Sequence, residues 1–294
     1  TGVRVTATYA GTEYVIYSGY IEQIILNDGF APTAEFVCVD AISQLSTQVL
    51  HYQNYNNLYD KDVINHILTQ VGWPSTFRDV SSYEQVIAEN ADVKETAFNI
   101  CHQIAAMQMG KFFIDRFGKP TFRTFSECFG STGGTRPMYR MLLSDQRQPV
   151  NDTDIEYDYI NVSGGEKYIV NTVTINNSTG DAVRTNSASV ARYGGVRKEL
   201  PGYFYFSSDA ALFAQRMSIY WGTPAYRCER VEFDGYGLTD WYSILTTEIG
   251  DGATVDRQSV YRSKKRYNCL VESIDHDITP DNWRVSLQFS PDSI

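Results

Sequence analysis

Cysteine is scarce in this sequence, and its placement argues against a disulfide or zinc framework. The chain of 294 residues has five cysteines, an odd number, and none of them forms a CxxC pair. Small disulfide scaffolds and structural zinc sites both need paired or clustered cysteines. We therefore expect these residues to be small buried hydrophobic side chains in a protein of a reducing compartment: Cys38, Cys101, Cys128, Cys228 and Cys269.

Positive charge is also scarce. Acidic residues outnumber basic ones by 35 to 25, the net charge is -10, and the longest basic run is Lys264-Lys265-Arg266. Tight binding to a nucleic-acid backbone needs a dense basic surface, so we do not expect this function. A transient contact, in which DNA passes the protein without binding tightly, is still compatible with this composition.

Long apolar runs are absent as well. No stretch approaches the roughly 20 residues that a membrane span needs, and no charged-then-apolar signal peptide opens the chain. The chain begins at Thr1, without a methionine and already within a strand pattern. We therefore expect it to be a segment of a longer polypeptide.

What the sequence does contain predicts a mainly β protein with an α+β insertion. Aromatic residues make up 14% of the chain, with 21 Tyr and 15 Phe, and such a composition favours strands and a sizeable core. Period-two alternation predicts strands near both ends, and a helical pattern lies between them. We predict a first β unit over 1–45 that later strands complete, a small α/β domain over 46–150, and a second β unit over 151–294 with one helix near 208–221.

Two segments share an order of strand, polar turn and strand. Tyr17–Ala41 and Asn268–Pro291 each contain an isoleucine followed by an acid, Ile21-Glu22 and Ile274-Asp275. We interpret them as two related β units, one at each end of the chain.

Local signals predict the remaining elements. Asp92 and Glu95 form a capping-box pattern before a helix that ends at Gly110, and Ser207 or Ser208 is expected to cap the helix near 208–221. Alternation predicts short strands over Ala188–Arg192 and Trp241–Leu245.

The candidate chemical groups each have a structural interpretation, which we favour. His66 lies on a helix, and Cys101 and His102, neighbours on a helix, point about 100° apart and cannot converge as nucleophile and base. His276 could bind a metal or relay protons, or simply end a strand. The acids Asp152, Asp154, Glu156 and Asp158 are interpreted as a strand face and not a calcium loop. Glu248, Asp251 and Asp256 flank a predicted tight turn, and a glycosidase pair stays open because any two acids could meet in space, although nothing selects a particular pair.

Two loops complete the candidates. Gly130–Thr135, GSTGGT, lacks the lysine and the following helix that a phosphate-binding loop needs, so it is predicted to be a plain loop. The Tyr-rich segment His51–Tyr59 could stack on sugars or fill a protein interface. We assign no catalytic, cofactor-binding or metal-binding residue.

Short motifs along nearly the whole chain resemble phage tail hub proteins, also called minor tail or baseplate hub proteins. They are RVTATYAG, YSGYIEQI, EFVCVDAISQL, GKFFIDRFGKPTF, YIVNTVTINN, ARYGGVRKEL, EIGDGATV and LVESIDHDITPDNWRVSLQFSP. The resemblance implies a homotrimer with two tail-tube-like β units per chain, so that three chains form a six-part ring matching a hexameric tube.

The same resemblance implies a structural virion protein at the tail tip, made in the host cytoplasm. Such a hub caps the tail tube or a distal tail protein, joins it to tip or fibre proteins, and lines a channel through which DNA passes. It implies no enzymatic activity, cofactor or membrane-spanning segment. The alternatives are a carbohydrate-binding adhesin, suggested by the aromatic content, and, less favoured, a glycoside hydrolase.

Overall fold

The computed structural model describes residues 2–28, 32–50, 55, 57–80, 86–87, 95–129, 141–145, 155–164, 169–177, 180–202, 204, 206–224, 227–235, 241–257 and 265–291. The fold is mainly β with helical insertions, as predicted. The strands, in chain order, are β1 (Gly2–Tyr9), β2 (Thr12–Asn27), β3 (Thr33–Val39), β4 (Val49–Leu50), β5 (Leu58–Tyr59), β6 (Val86–Ile87), β7 (Glu95–Thr96), β8 (Lys111–Ile114), β9 (Pro120–Arg123), β10 (Met141–Asp145), β11 (Ile155–Tyr157), β12 (Tyr159–Ser163), β13 (Thr172–Asn177), β14 (Ala182–Thr185), β15 (Arg197–Gly202), β16 (Arg227–Asp234), β17 (Gly252–Arg257), β18 (Lys265–Ile278) and β19 (Trp283–Pro291).

Seven α-helices are described between these strands. They are α1 (Ala41–Thr47), α2 (Asp60–Gln70), α3 (Ala97–Met107), α4 (Phe125–Phe129), α5 (Ser187–Tyr193), α6 (Ser207–Tyr220) and α7 (Trp241–Thr246), and a 3₁₀ turn covers Ser75–Phe77. None of the described helices is long and apolar enough to cross a membrane.

Two hydrophobic cores organise the described residues. Core 1 joins the apolar faces of α2 and α3 to the hairpin β8–β9, and it continues into the sheet β14–β13–β15 and α6. Core 2 lies on one face of a seven-stranded sheet of order β11–β10–β17–β18–β19–β16–β12, together with Ile244 of α7. The domain boundaries predicted from the sequence remain a prediction.

The N-terminal three-stranded sheet, β1–β2–β3, belongs to neither core cluster. In its hairpin β2–β3, Ile21 pairs with Cys38 and Gln23 pairs with Val37. Glu22 is therefore an extra residue in a β-bulge, which bends the strand and increases its twist.

The C-terminal hairpin, β18–β19, has the same construction. Val271 pairs with Phe289 and Ser273 pairs with Gln288, so Glu272 is the extra residue. Two long antiparallel hairpins, each bent at a bulged glutamate, therefore stand at opposite ends of the sequence.

The bulges give the true equivalence of the two segments. Counting from each bulge, Ile24 corresponds to Ile274, so the sequence-based pairing of Ile21 with Ile274 was three residues out of register. Both segments form bulged hairpins, and that they are related units stays a prediction. The register of the sequence-based alignment differs from the one that the bulges give, because a bulge residue cannot be recognised from alternation alone.

Several local predictions were also wrong. The segments predicted as strands over 188–192 and 241–245 are the helices α5 and α7. Helix α3 has Thr96 at its N-cap, whose side chain accepts a hydrogen bond from the Asn99 N–H, in place of the predicted cap; Asp92 of the predicted capping box lies outside the described residues. Helix α6 has Phe206 at its N-cap, without a side-chain cap.

Candidate assembly interface

The N-terminal sheet presents an apolar face outside both core clusters. Ile24 pairs with Phe36, and Leu26 pairs with Ala34, so these side chains share one face of the hairpin. Ile24 and Phe36 are each 54% exposed, and Leu26 is 69% exposed. Directly paired, exposed large apolar side chains are typical of a protein interface.

The two faces of the seven-stranded sheet differ in polarity. On the inner face, Val231, Val285 and Leu287 are buried in core 2. On the outer face, one row across the sheet places Glu232 beside Ser286, and Ser286 beside Asp275.

The next row of this outer face continues the same polar character. Arg230 lies beside Gln288, and Gln288 lies beside Ser273. Arg230 donates to the Ser286 hydroxyl at 2.7 Å and forms an ion pair with Glu232 at 3.0 Å. Surface ion pairs of this kind contribute little to stability.

A buried junction holds the N-terminal sheet against the rest of the molecule. The turn of the hairpin β8–β9 packs on β2, where a Cβ built at Gly118 would lie 3.5 Å from the Ser18 Cβ. The rings of Tyr14 and Tyr242 meet edge to face, with centroids 6.1 Å apart. The N-terminal sheet is therefore oriented by contacts with both of the other parts of the fold.

Arg116 is the central cation of this junction. Its guanidinium donates to the carbonyl oxygens of Leu245, Thr246 and Thr247 at the end of α7, and to the Glu248 carboxylate at 3.0 Å. Cations stabilise helix C-termini because the carbonyl groups there carry partial negative charge. Arg116 thus joins the hairpin β8–β9 to α7.

The junction encloses a cavity of about 140 Å³ between β2, the β8–β9 turn, α7 and β18. The Tyr17 and Ser18 hydroxyls that line it are buried and have no hydrogen-bond partner among the described residues. Burial, followed by the nearby Asp40, raises the pKa of Tyr17 to about 12.

The predicted group His276 lies at this junction. Its Nδ1 accepts a hydrogen bond from the Trp283 indole N–H at 3.2 Å. Burial, followed by the charge of Arg116, lowers the pKa of His276 to about 4. The imidazole is therefore a neutral acceptor inside the fold.

The other predicted groups are spread over separate elements. His66 contacts the Tyr55 ring edge to face, and His102 stacks on Phe98. Cys101 is fully buried, and burial raises the pKa of its thiol, whereas His102 is exposed. All five cysteines are free thiols, four of them buried, while Cys38 is partly exposed.

The predicted acids do not come together in one site. Asp251 accepts a hydrogen bond from the Glu248 N–H at 2.8 Å, and Asp256 forms a paired contact with Arg266, with two N···O distances of 2.8 Å. Glu156 lies within β11, opposite Ser144 of β10, as the predicted strand face requires, and Asp158 lies between β11 and β12. Asp152, Asp154 and the loop 130–135 lie outside the described residues. Within the described ranges, no three potential metal-binding side chains converge.

The fold resembles solved structures of phage tail proteins along its whole length. A tail protein from Neisseria meningitidis MC58 matches with a TM-score of 0.62 and 11% identity, covering 98% of this chain and 84% of that chain. The prophage MuSo2 43 kDa tail protein from Shewanella oneidensis matches with a TM-score of 0.58 and 14% identity, covering 98% and 80%. The chain has the fold of phage tail proteins. No family model and no curated protein sequence matches it.

The sequence alone did not identify the two faces. The phage tail fold was predicted from short motifs, but the apolar face of β2–β3 depends on the register set by Glu22. The Arg116 contacts join residues about 130 positions apart in sequence, and no local pattern encodes them. Two sequence patterns pointed to a two-sided sheet: the alternation of Trp283, Val285, Leu287 and Phe289 with polar residues, and the acidic strand face that includes Glu156.

Proposed function

We propose that this protein is a structural component of a phage tail, acting as the distal hub that caps the tail tube and joins it to tip or fibre proteins. The observation that carries the proposal is the fold it shares with two phage tail proteins over 98% of its length. The hub acts through assembly and needs no catalytic residue, metal or cofactor. It is made in the host cytoplasm and resides at the tail tip of the virion.

The hub is a homotrimer on this proposal. Each chain carries two long bulged hairpins, β2–β3 and β18–β19, which support two tail-tube-like units per chain. Three chains then supply six such units, which match a hexameric tube, and closed rotational symmetry gives a finite ring. The exposed sheet β1–β2–β3 supplies a surface for contact between copies.

The outer face of the seven-stranded sheet lines the channel for DNA. On β16, β19 and the part of β18 beyond its bulge, the acids Glu232, Asp234, Asp275 and Asp277 outnumber the bases Arg230 and Arg284, while Asp256 and Arg266 on the same face balance each other. With a net charge of -10 per chain, a trimer repels the DNA backbone. DNA therefore slides through the ring without adhering.

The adhesin alternative has less support. Within the segment considered for sugar stacking, Tyr55 is only 6% exposed and belongs to core 1, which leaves Tyr59, 44% exposed, as the one accessible tyrosine among the residues described there. Of the acids considered for glycoside hydrolysis, Asp256 binds Arg266, while Glu248 and Asp251 are neighbours held in structural contacts, Glu248 by Arg116 and Asp251 by the Glu248 N–H.

Native mass spectrometry of the purified chain, followed by electron microscopy of the oligomer, tests the hub. We expect a closed trimer with an axial channel. A monomer at high micromolar concentration that gains no partner on addition of tail-tube protein contradicts the proposal. Saturable glycan binding by that monomer would instead support the adhesin.

A further inference from the structure

The hairpin β2–β3 has the residue pattern of a buried sheet face. Counted from the bulges, Ile24 corresponds to Ile274 and Phe36 corresponds to Leu287. Leu287 is fully buried in core 2 and Ile274 packs against that core, whereas Ile24 and Phe36 are each 54% exposed. The N-terminal hairpin thus carries the apolar face of its C-terminal counterpart without the same cover.

The C-terminal hairpin also indicates what kind of element covers such a face. Core 2 receives Ile244 from α7, with Trp241 of the same helix packed against it. The Trp241 and Trp283 rings lie 4.5 Å apart, so the helix is in direct contact with β19. A helix is therefore a suitable cover for the equivalent face of β2–β3.

Helix α6 has an apolar pair on its outward face. Phe213, Ala214 and Met217 point into core 1. Leu212 and Ile219 share the opposite side of the helix, two turns or about 10 Å apart along its axis, and are 44% and 53% exposed. We name Leu212 and Ile219 the helix face, and Ile24, Leu26 and Phe36 the hairpin face.

The two faces have complementary charged surroundings. No Lys or Arg occurs in Thr12–Val39, where the exposed acids are Glu13, Glu22, Asp28 and Glu35. Basic residues flank α6, because Arg184 and Lys198 both pair with Val173 on the sheet face that α6 covers. Lys198 also lies 4.6 Å from the Trp221 ring at the end of α6.

We propose that the hairpin face of one copy packs against the helix face of the next copy around the ring. This inference rests on the proposed trimeric hub and identifies the surfaces through which its chains contact each other. Because the two surfaces differ, the interface is head-to-tail, and a head-to-tail interface closes into a ring when its rotation is 120°. Acidic and basic flanks across the contact fix its orientation.

Single substitutions test each face. Phe36→Glu on the hairpin face and Leu212→Glu on the helix face should each raise the concentration at which trimers form by at least about 30-fold, the effect of losing one central apolar contact. Both positions are exposed, and thermal unfolding confirms that the chains fold. Val49→Glu, at a residue 53% exposed on neither face, is the matched control and should leave assembly unchanged.

Mixing the two variants tests the head-to-tail arrangement. Phe36→Glu keeps an intact helix face, and Leu212→Glu keeps an intact hairpin face. One chain of each can therefore form a single contact, after which the only free faces are the two mutated ones. Native mass spectrometry should then detect a one-to-one dimer and no trimer, although each variant alone is monomeric.

The outcomes separate this inference from the proposed hub. Trimers formed by the wild type and equally by Leu212→Glu overturn the helix contact while the hub survives. Trimers formed equally by Phe36→Glu overturn the hairpin contact in the same way. An equimolar mixture that stays monomeric overturns the pairing of the two faces, and a wild type that never assembles removes the ring itself.

Discussion

At position 19, a side chain larger than hydrogen does not fit beside Tyr17. A Cβ on Gly19 would overlap with the Tyr17 hydroxyl and with the Val39 carbonyl oxygen. Gly19→Ala must therefore displace the Tyr17 ring or separate β2 from β3. We expect the substitution to lower the free energy of unfolding by about 1–3 kcal/mol, measured by chemical denaturation.

Gly2→Ala is the matched control for this change. Gly2 lies in the same sheet, and its nearest neighbour is 4.0 Å from the added Cβ. If both variants lost the same free energy of unfolding, the loss would come from replacing a strand glycine in general and not from the contact with Tyr17.

Asp251 gives the fold a dependence on pH. Burial raises the pKa of Asp251 to about 6, with the charge of Glu248 adding to the effect. A carboxyl group whose pKa is higher in the folded state stabilises the fold below its unfolded pKa of about 4, and this stability is lost as pH rises through 6. The substitution Asp251→Asn keeps an acceptor for the Glu248 N–H and removes the charge.

Asp251→Asn should therefore stabilise the protein by about 1–3 kcal/mol at pH 8 and by little at pH 4. Urea denaturation of both chains across this range measures the difference. A difference that does not change with pH would show that the charge of Asp251 is not the cause.

At the scale of elements, Arg116 connects the hairpin β8–β9 to α7. Its side chain is 13% exposed and donates to three carbonyl groups and one carboxylate. Arg116→Ala leaves these acceptors without their cation, so we expect a loss of about 2–4 kcal/mol. Compared with the wild type, the variant should show faster amide hydrogen exchange in α7, whereas exchange in α2 should change little. Arg184→Ala, at an exposed arginine, is the control and should cost less than about 0.5 kcal/mol.

The elements that sequence analysis missed depend on tertiary contacts or on weak local signals. α7 is six residues long and is held by Arg116, which lies far away in sequence. α5 begins at Asn186, whose side chain accepts from the Ser189 N–H, and ends at Gly194. These cap and stop signals are visible in the sequence, so α5 could have been predicted, whereas α7 could not.

At the scale of the whole molecule, the mainly β fold and the relation between the chain ends were predictable from composition, alternation and short motifs. The division into two cores was not, because core 1 joins α2 and α3 to β13 and α6 across more than a hundred residues. The assembly faces were not predictable either, since two bulged glutamates set which side chains share a face.

The charge of the sheet's outer face gives the last prediction, for the assembled ring. If this face lines the channel, Glu232→Lys combined with Asp275→Lys places up to about six new cations around passing DNA in a trimer. The variant should then bind linear duplex DNA with a log–log salt slope of about -3 to -5, because each neutralised phosphate contributes roughly -0.9. The wild-type ring should not retain DNA at 0.15 M salt.

Asp62→Lys combined with Asp181→Lys is the control, because it makes the same change in net charge at exposed positions outside this sheet. Because these positions lie outside the channel lining, equal DNA binding by this control would contradict the assignment of the outer face to the channel.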